Sequence, residues 1–448
     1  MAHDISQFLI SEARAIDIAR LPADVIDVAS QSVLDWFGVT IAGACEPLVL
    51  KLLDEARYQG GHPLCTLVGH NERTSPAFAA LINGAAADAA DFSDVHLALH
   101  GHPTAAVVAA ALAVAEARGA NGAQFLAAVI AGIELECRIG LLIQPESYQQ
   151  TGFHPTGPVV HFGATAAAAH LMGLNETQWE HALGIAATQA AGLKASAGSM
   201  CKPTHCGFAA MHGVMGASLA SRGFTSGKHA IDGPVGFAVA HSPAQHHEQV
   251  LSSTGRFLIL DTQVKRHAAC ALTHGTIENM LKLRRDGVTA DRVKKIEIEV
   301  TSGHLNVVGH RQPETDLQAK FSLWATAALA LLGEDTGNVE TFSAENIQRP
   351  ELRALMSRIE VRERPDLDFS VAIASVELAN GHRVFATTDT SEPERDLELR
   401  RRQVIAKFNS LVTPALRPGD ASELQNCVFD MQRAASLASI LRLSEISH

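Results

Sequence analysis

Residues 102–119 read HPTAAVVAAALAVAEARG. Eleven consecutive positions, 105–115, are apolar, and Ala fills most of them. Pro103 stands where a helix begins, because the first turn has no use for its missing N–H. Arg118 and Gly119 mark the end: a basic last turn, then the residue that most easily turns left-handed. A segment apolar on every face belongs inside a core. At eleven residues it is well short of the roughly 18–20 that span a bilayer. Small side chains let neighbouring helices approach closely, so the run predicts a closely packed, many-helix interior.

The surrounding sequence repeats this design. Ser75-Pro76 pairs an N-cap oxygen with a first-turn proline. Apolar residues at three- and four-residue spacing form one stripe over 25–37. Further Ala-rich helices are predicted over 122–141, 159–172, 177–192 and 206–222, the last stopped by Gly223. The period changes after about residue 285. VKKIEIEVT (293–301) alternates Ile296, Ile298 and Val300 against charge, the mark of a half-buried strand. Strands are also expected at 358–362 and 371–378, with Asn380-Gly381 as a two-residue type I′ turn into 383–388. Between the strands, 321–332 reads as helix, and helical pattern returns over 394–408 and 424–443. The reading is mainly α with an α+β part: a helical domain over 1–268, completed by 396–448, and a smaller α+β lid over 269–395.

Composition narrows the function classes. The 448 residues hold 36 Lys and Arg against 48 Asp and Glu, a net charge of −12. Nucleic acid and anionic membrane surfaces both call for excess basic charge, so neither is an expected partner. Apolar residues at 47% and charged residues at 19% suit a large core rather than disorder. Seven dispersed cysteines without a CxxC pair suit a reducing cytoplasm rather than a disulfide framework. The start, MAHDISQFLI, carries an early acid and no basic n-region, unlike a signal peptide.

Three junctions suggest where chemistry resides. His102-Pro103, His154-Pro155 and Lys202-Pro203 each put a basic side chain just before an Ala-rich helix. Helix starts carry unpaired N–H groups and about half a positive charge, which attract carboxylates and phosphates. If the three converge, they form a pocket for a small polyanion; X-Pro before a helix is also ordinary punctuation. Asp91, in DAADFSDVHLALHGHPT, is the candidate carboxylate for proton transfer or for orienting a histidine. Its neighbours Asp88 and Asp94 are equally acidic. His96, His100 and His102 allow a zinc reading, but glycine and proline break the helix there and no HExxH pattern occurs, so no metal is expected. Lys265-Arg266-His267 is a second basic cluster, either a clamp for a substrate carboxylate or a solvated turn. No GxxxxGK[ST] loop, no GxGxxG after a strand and no GxSxG elbow are present. What remains is side-chain proton transfer on an anionic substrate without a cofactor. A helical protein that stores or senses a polycarboxylate is the non-enzyme alternative.

Five segments together resemble the MmgE/PrpD family, which includes 2-methylcitrate dehydratases, cis-aconitate decarboxylases and iminodisuccinate epimerases. They are NGAAADAADFSD (83–94), GHPTAAVVAA (101–110), GFHPTGPVVHFGATAAAAHLMGL (152–174), CKPTHCGFAAMHG (201–213) and VKRHAACALTHG (264–275). The resemblance implies an all-helical domain plus an α+β lid, a cleft between them and a homodimer. It implies catalytic roles for Asp91, His102, His154 and Lys202 and matches Lys265 to the family's lysine near the lid; Lys265, Arg266, His96 and Cys270 are the residues expected to contact the substrate.

Departures from the family's patterns bear on the reaction. The dehydratases resemble one another in a His-Pro-Ser-Asp-Asn segment, where this chain has His102-Pro103-Thr104-Ala105-Ala106. The decarboxylases place a Thr near Val95 or His96, and a His where this chain has Cys270. The common first step is removal of a proton α to a carboxylate. The expectation is therefore an epimerase of an iminodisuccinate-like dicarboxylate, with a lyase on a tricarboxylate as the alternative.

Overall fold

The computed structural model describes residues 5–446, and the protein is mainly α-helical with a smaller α+β part. The Pro103–Arg118 helix runs through the middle of the helical part, with every residue from Pro103 to Ala115 buried. It ends at Gly119, whose φ of 66° lets the chain turn off. Pro76–Ala89 starts from Ser75, whose Oγ accepts the Phe78 N–H at 3.4 Å. Gly122–Ile143 starts from a reciprocal pair, Asn121 and Gln124, each side chain bonded to the other's backbone. Thr156–Leu171 packs on both Pro103–Arg118 and Gly122–Ile143, while Thr204–Ser221 packs on Pro76–Ala89. Glycines allow the closest crossing: a Cβ on Gly132 would stand 2.7 Å from the Gly163 carbonyl oxygen. The Ala23–Gly43 helix is long and apolar enough to cross a membrane, but it lies buried in this core.

The α+β part, called the lid below, is built on a four-stranded sheet. Val293–Thr301 lies between Ile359–Arg364, its parallel neighbour, and Val371–Leu378, which runs antiparallel and pairs in turn with Arg383–Asp389. Ile296, Ile298 and Val300 point inward as their alternation predicts. The Ala271–Arg285 helix packs on Val371–Leu378 and Arg383–Asp389, and Leu323–Leu332 packs on Ala271–Arg285. The hairpin turn differs from expectation. Of Asn380 and Gly381, Gly381 alone has positive φ (83°). The Leu378 N–H donates to His382 O at 2.9 Å, and the Gly381 N–H returns to Leu378 O at 2.9 Å. This is a three-residue turn ending in a left-handed glycine, not type I′.

After the lid the chain returns to the helical part. Leu397–Val412 lies against Ala23–Gly43. Arg400 donates to Gln31 Oε1 at 2.8 Å and Ser32 Oγ at 3.1 Å, and Lys407 pairs with Asp35 at 2.8 Å. The helix expected over 424–443 is broken into Asp420–Phe429 and Ala438–Leu443, with a short 3₁₀ turn between them.

One core residue breaks the apolar pattern. Glu136 is fully buried, neither carboxyl oxygen has a partner among the described residues, and burial followed by nearby Asp94 raises its pKa well above the usual range. An acid raised in this way favours folding in its protonated form. Its contribution is therefore lost as pH rises above the ordinary value of about 4.5 toward the folded one. Glu136→Gln should stabilise the protein by about 1–3 kcal/mol at pH 8, with a smaller gain at pH 5. Denaturant unfolding at the two pH values measures this.

Candidate active site

The site begins at the C-terminal end of the Pro76–Ala89 helix, where backbone carbonyls lack helical partners and carry partial negative charge. Three lysines from distant parts of the sequence and one nearby histidine hold the carbonyls just beyond. Lys320 Nζ donates to Ala90 O (3.1 Å), Lys265 Nζ to Asp91 O (2.7 Å), Lys407 Nζ to Phe92 O (2.7 Å) and His102 Nδ1 to Asp94 O (2.9 Å). Asp91 has φ 51°, a left-handed conformation that Asp tolerates better than most residues. The grip on both sides of it sustains that conformation.

Two carboxylates and two ammonium groups meet here, all buried. Lys202 Nζ donates to Asp88 Oδ2 at 3.0 Å, to Asp91 Oδ1, and toward His102 Nε2 at 3.4 Å. Lys265 Nζ reaches Asp91 Oδ2 at 3.1 Å. Burial alone would raise the Asp91 pKa, but the two lysines outweigh it and hold the carboxyl well below its usual range. Burial likewise opposes the charge on Lys202, and Asp88 and Asp91 more than restore it. Asp88, Asp91 and His102 present atoms close enough together for a cation, and the Lys202 ammonium bonds to all three.

His102 precedes the Pro103–Arg118 helix, as expected. Its tautomer follows from its partners. Ser93 Oγ donates to Asp88 Oδ1 at 3.0 Å, so it accepts from His102 Nδ1 (3.2 Å) alongside Asp94 O. Nδ1 therefore carries the proton, and Nε2 presents a lone pair toward Lys202. Burial is the main reason its pKa falls to about 4. The helix start is filled by the protein itself: Asp94 Oδ1 accepts the Thr104 N–H at 3.3 Å and hydroxyl at 2.7 Å. A substrate carboxylate therefore does not sit there.

His102 lines a cavity of about 100 Å³ between the helical part and the lid, together with Val95, His154, Cys270, His274 and Phe369. His154 Nδ1 lies 3.2 Å from His205 Nδ1, so one proton is shared between the two rings. Burial, then Lys202, keeps His154 well below the ordinary imidazole value. Cys270 precedes the Ala271–Arg285 helix, and burial pushes its thiol up to about 11.

Of the residues singled out from sequence, Asp91, His102, Lys202 and Lys265 form one hydrogen-bonded network, and His154 and Cys270 line the cavity beside it. Asp91 bonds to lysines rather than orienting a histidine. His96 also lines the cavity, but Nε2 donates to Leu258 O (2.8 Å) and Nδ1 accepts the Ala98 N–H (3.1 Å), leaving nothing for a substrate. The same bonds rule out a shared metal on His96, His100 and His102. Arg266 lies outside the cavity: its side chain is 61% exposed and faces Glu278 at 3.9 Å. Sequence reasoning missed Asp88 as a partner of Lys202, although its spacing three residues before Asp91 in DAAD was a usable signal. Nothing local singled out Lys320, Lys407, His205 or His274.

Two protein-family models match this chain. The model described as the MmgE/PrpD N-terminal domain matches residues 9–249, and the one described as the MmgE/PrpD C-terminal domain matches 267–431. A cis-aconitate decarboxylase of Aspergillus terreus (strain NIH 2624 / FGSC A1156) is 25% identical over 94% of this chain and 92% of its own length. The Homo sapiens cis-aconitate decarboxylase is 28% identical over 82% of this chain and 78% of its own. A cis-aconitate decarboxylase-like protein, oryM, of Aspergillus oryzae is 32% identical over 62% of this chain and 60% of its own.

Proposed function

Since this chain belongs to the MmgE/PrpD family, whose members are enzymes, we propose that it is a lyase releasing carbon dioxide from a small unsaturated polycarboxylate. The likeness to cis-aconitate decarboxylases along most of the chain supports a lyase over the epimerase expected from sequence. The observation that carries the chemistry is His102, a neutral imidazole with a fixed tautomer that lines the cavity and touches the Lys202 ammonium. The pair joins an acid, the ammonium, to a base, the imidazole lone pair. In the reaction proposed, the carbon–carboxylate bond breaks and its electron pair becomes a new double bond. The pair of the old double bond takes the proton, at the carbon beside another carboxylate. His102 with Lys202 supplies that proton, and His154 with His205 is the second acid–base pair.

Cys270 favours epimerisation as a second reading. It puts a protic thiol on a wall contributed by the lid, while His102 and His154 come from the helical part. Epimerisation needs acid–base groups on two faces of one carbon.

One experiment separates the two. In D₂O, cis-aconitate should release carbon dioxide and yield a product carrying one solvent deuteron, followed by NMR. Exchange and loss of optical purity in a chiral iminodicarboxylate, with no carbon dioxide from cis-aconitate, would transfer the assignment to an epimerase. Neither reaction across a panel of di- and tricarboxylates would refute both.

A further inference from the structure

A second group of residues lines the same cavity and has no part in the network above. His100 and Tyr148 come from the helical part, His304 and Phe369 from the lid. The His100 and Tyr148 rings stack with centroids 5.6 Å apart. The Phe369 ring lies 4.4 Å from His100, 5.0 Å from Tyr148 and 5.2 Å from His304. The cluster thus joins the two parts of the molecule around one aromatic ring. Tyr148 is 5% exposed and His304 2%. Tyr148 Oη, His100 Nδ1 and His304 Nδ1 are buried atoms without a hydrogen-bond partner among the described residues. His100 is also held at φ 51°, a strained conformation for a residue with a side chain.

Three unpartnered polar atoms around one cavity are rare in a folded interior. They call for a ligand group rich in acceptors. The two histidines are neutral, each pushed down to about 4 mainly by burial; His100 can carry its proton on Nδ1 and donate, and the His304 ring shares its donor with the Thr301 backbone. Tyr148, its pKa raised by burial, remains a phenol and donates. The nearby cations are already committed: Lys202 to Asp88 and Asp91, Lys265 to Asp91, and Lys194, 4.2 Å over the Tyr148 ring, to the Tyr148 and Thr151 carbonyls. A carboxylate remote from the reacting carbon must then be held by uncharged donors. A planar group with about four acceptor positions suits three of them.

We propose that Tyr148, His100 and His304 form a neutral subsite for a second carboxylate of the substrate, one that takes no part in the chemistry. The assignment rests on the polycarboxylate reading and adds which residues count the substrate's carboxylates. Because two come from the helical part and one from the lid, a bound carboxylate also ties the parts together.

The test is calorimetric titration of the full-length protein with two probes. One is propane-1,2,3-tricarboxylate. The other is butane-1,2-dicarboxylate, in which a methyl group replaces one terminal carboxylate. Wild type should bind the first at least tenfold more tightly. Tyr148→Phe should lower affinity for the tricarboxylate at least tenfold and leave that for the dicarboxylate within twofold. Its melting temperature should not fall, since the hydroxyl has no partner to lose. His304→Leu should act in the same direction, and His304→Asn, which keeps a donor, should recover part of the loss. Equal effects on both probes, or none, would overturn the subsite while leaving the polycarboxylate reading standing. Wild type that binds neither probe would overturn that reading, and the subsite with it.

Discussion

Lys202→Met is expected to lose turnover by at least about a hundredfold, the low end for general acid–base catalysis, and to cost the fold about 3–5 kcal/mol. The second effect follows from charge. Lys202 is 3% exposed and compensates two carboxylates that are themselves buried. Lys265 still neutralises Asp91 when Lys202 is gone, so Asp88 is left as the uncompensated charge. Adding Asp88→Asn should therefore recover most of the stability and none of the turnover. Guanidinium unfolding of the single and double variants, beside the D₂O assay, separates the two effects. A single variant as stable as wild type would mean that the carboxylates do not depend on this ammonium.

The second large effect is a loss of stability in weak acid. His102 and His304 are buried, and burial depresses each from the ordinary 6.5 to about 4, while His161 falls to about 3. In the unfolded chain these rings take up protons near pH 6.5, whereas the folded protein resists until near pH 4. Unfolding therefore binds protons in that window. The stabilisation is complete above pH 6.5 and is lost as pH falls toward 4. For His102 and His304 the shift corresponds to roughly 3 kcal/mol each. Denaturant midpoints at stepped pH should fall steeply from pH 6.5 to 4, with a slope reporting uptake of more than one proton. A flat profile would show that these rings are not held neutral.

The parts of the molecule that were legible in sequence are those whose cause is local. Val293–Thr301 announces itself by alternation, and the helix starts at Pro76 and Pro103 by their caps and prolines. His102 and Lys202 were found because helix starts are written in neighbouring residues. The hairpin at Asn380-Gly381 was found but mistyped, since turn type depends on φ at both central residues and the dipeptide alone does not settle the loop length. Lys320 and Lys407 were invisible because their role is to meet carbonyls of residues 90 and 92, more than 200 positions away. Arg266 is turned to solvent, and His96, although it lines the cavity, spends both ring nitrogens on the backbone; a side chain's place in a motif reveals neither. Asp91 is located by its motif but its partners are not, because the lysines that bond it lie 111 and 174 residues downstream.

Those same distances govern how the chain is made. Arg400 completes its bonds to Gln31 across 369 residues, so the Ala23–Gly43 helix emerges from the ribosome long before its covering helix exists. At about 5–20 residues per second the wait is roughly 20–70 s. Throughout it a largely apolar helix has to be shielded by something other than its final neighbour. Expression of this protein should accordingly depend on chaperone supply, and a stop codon just before residue 397 should send the product to aggregates.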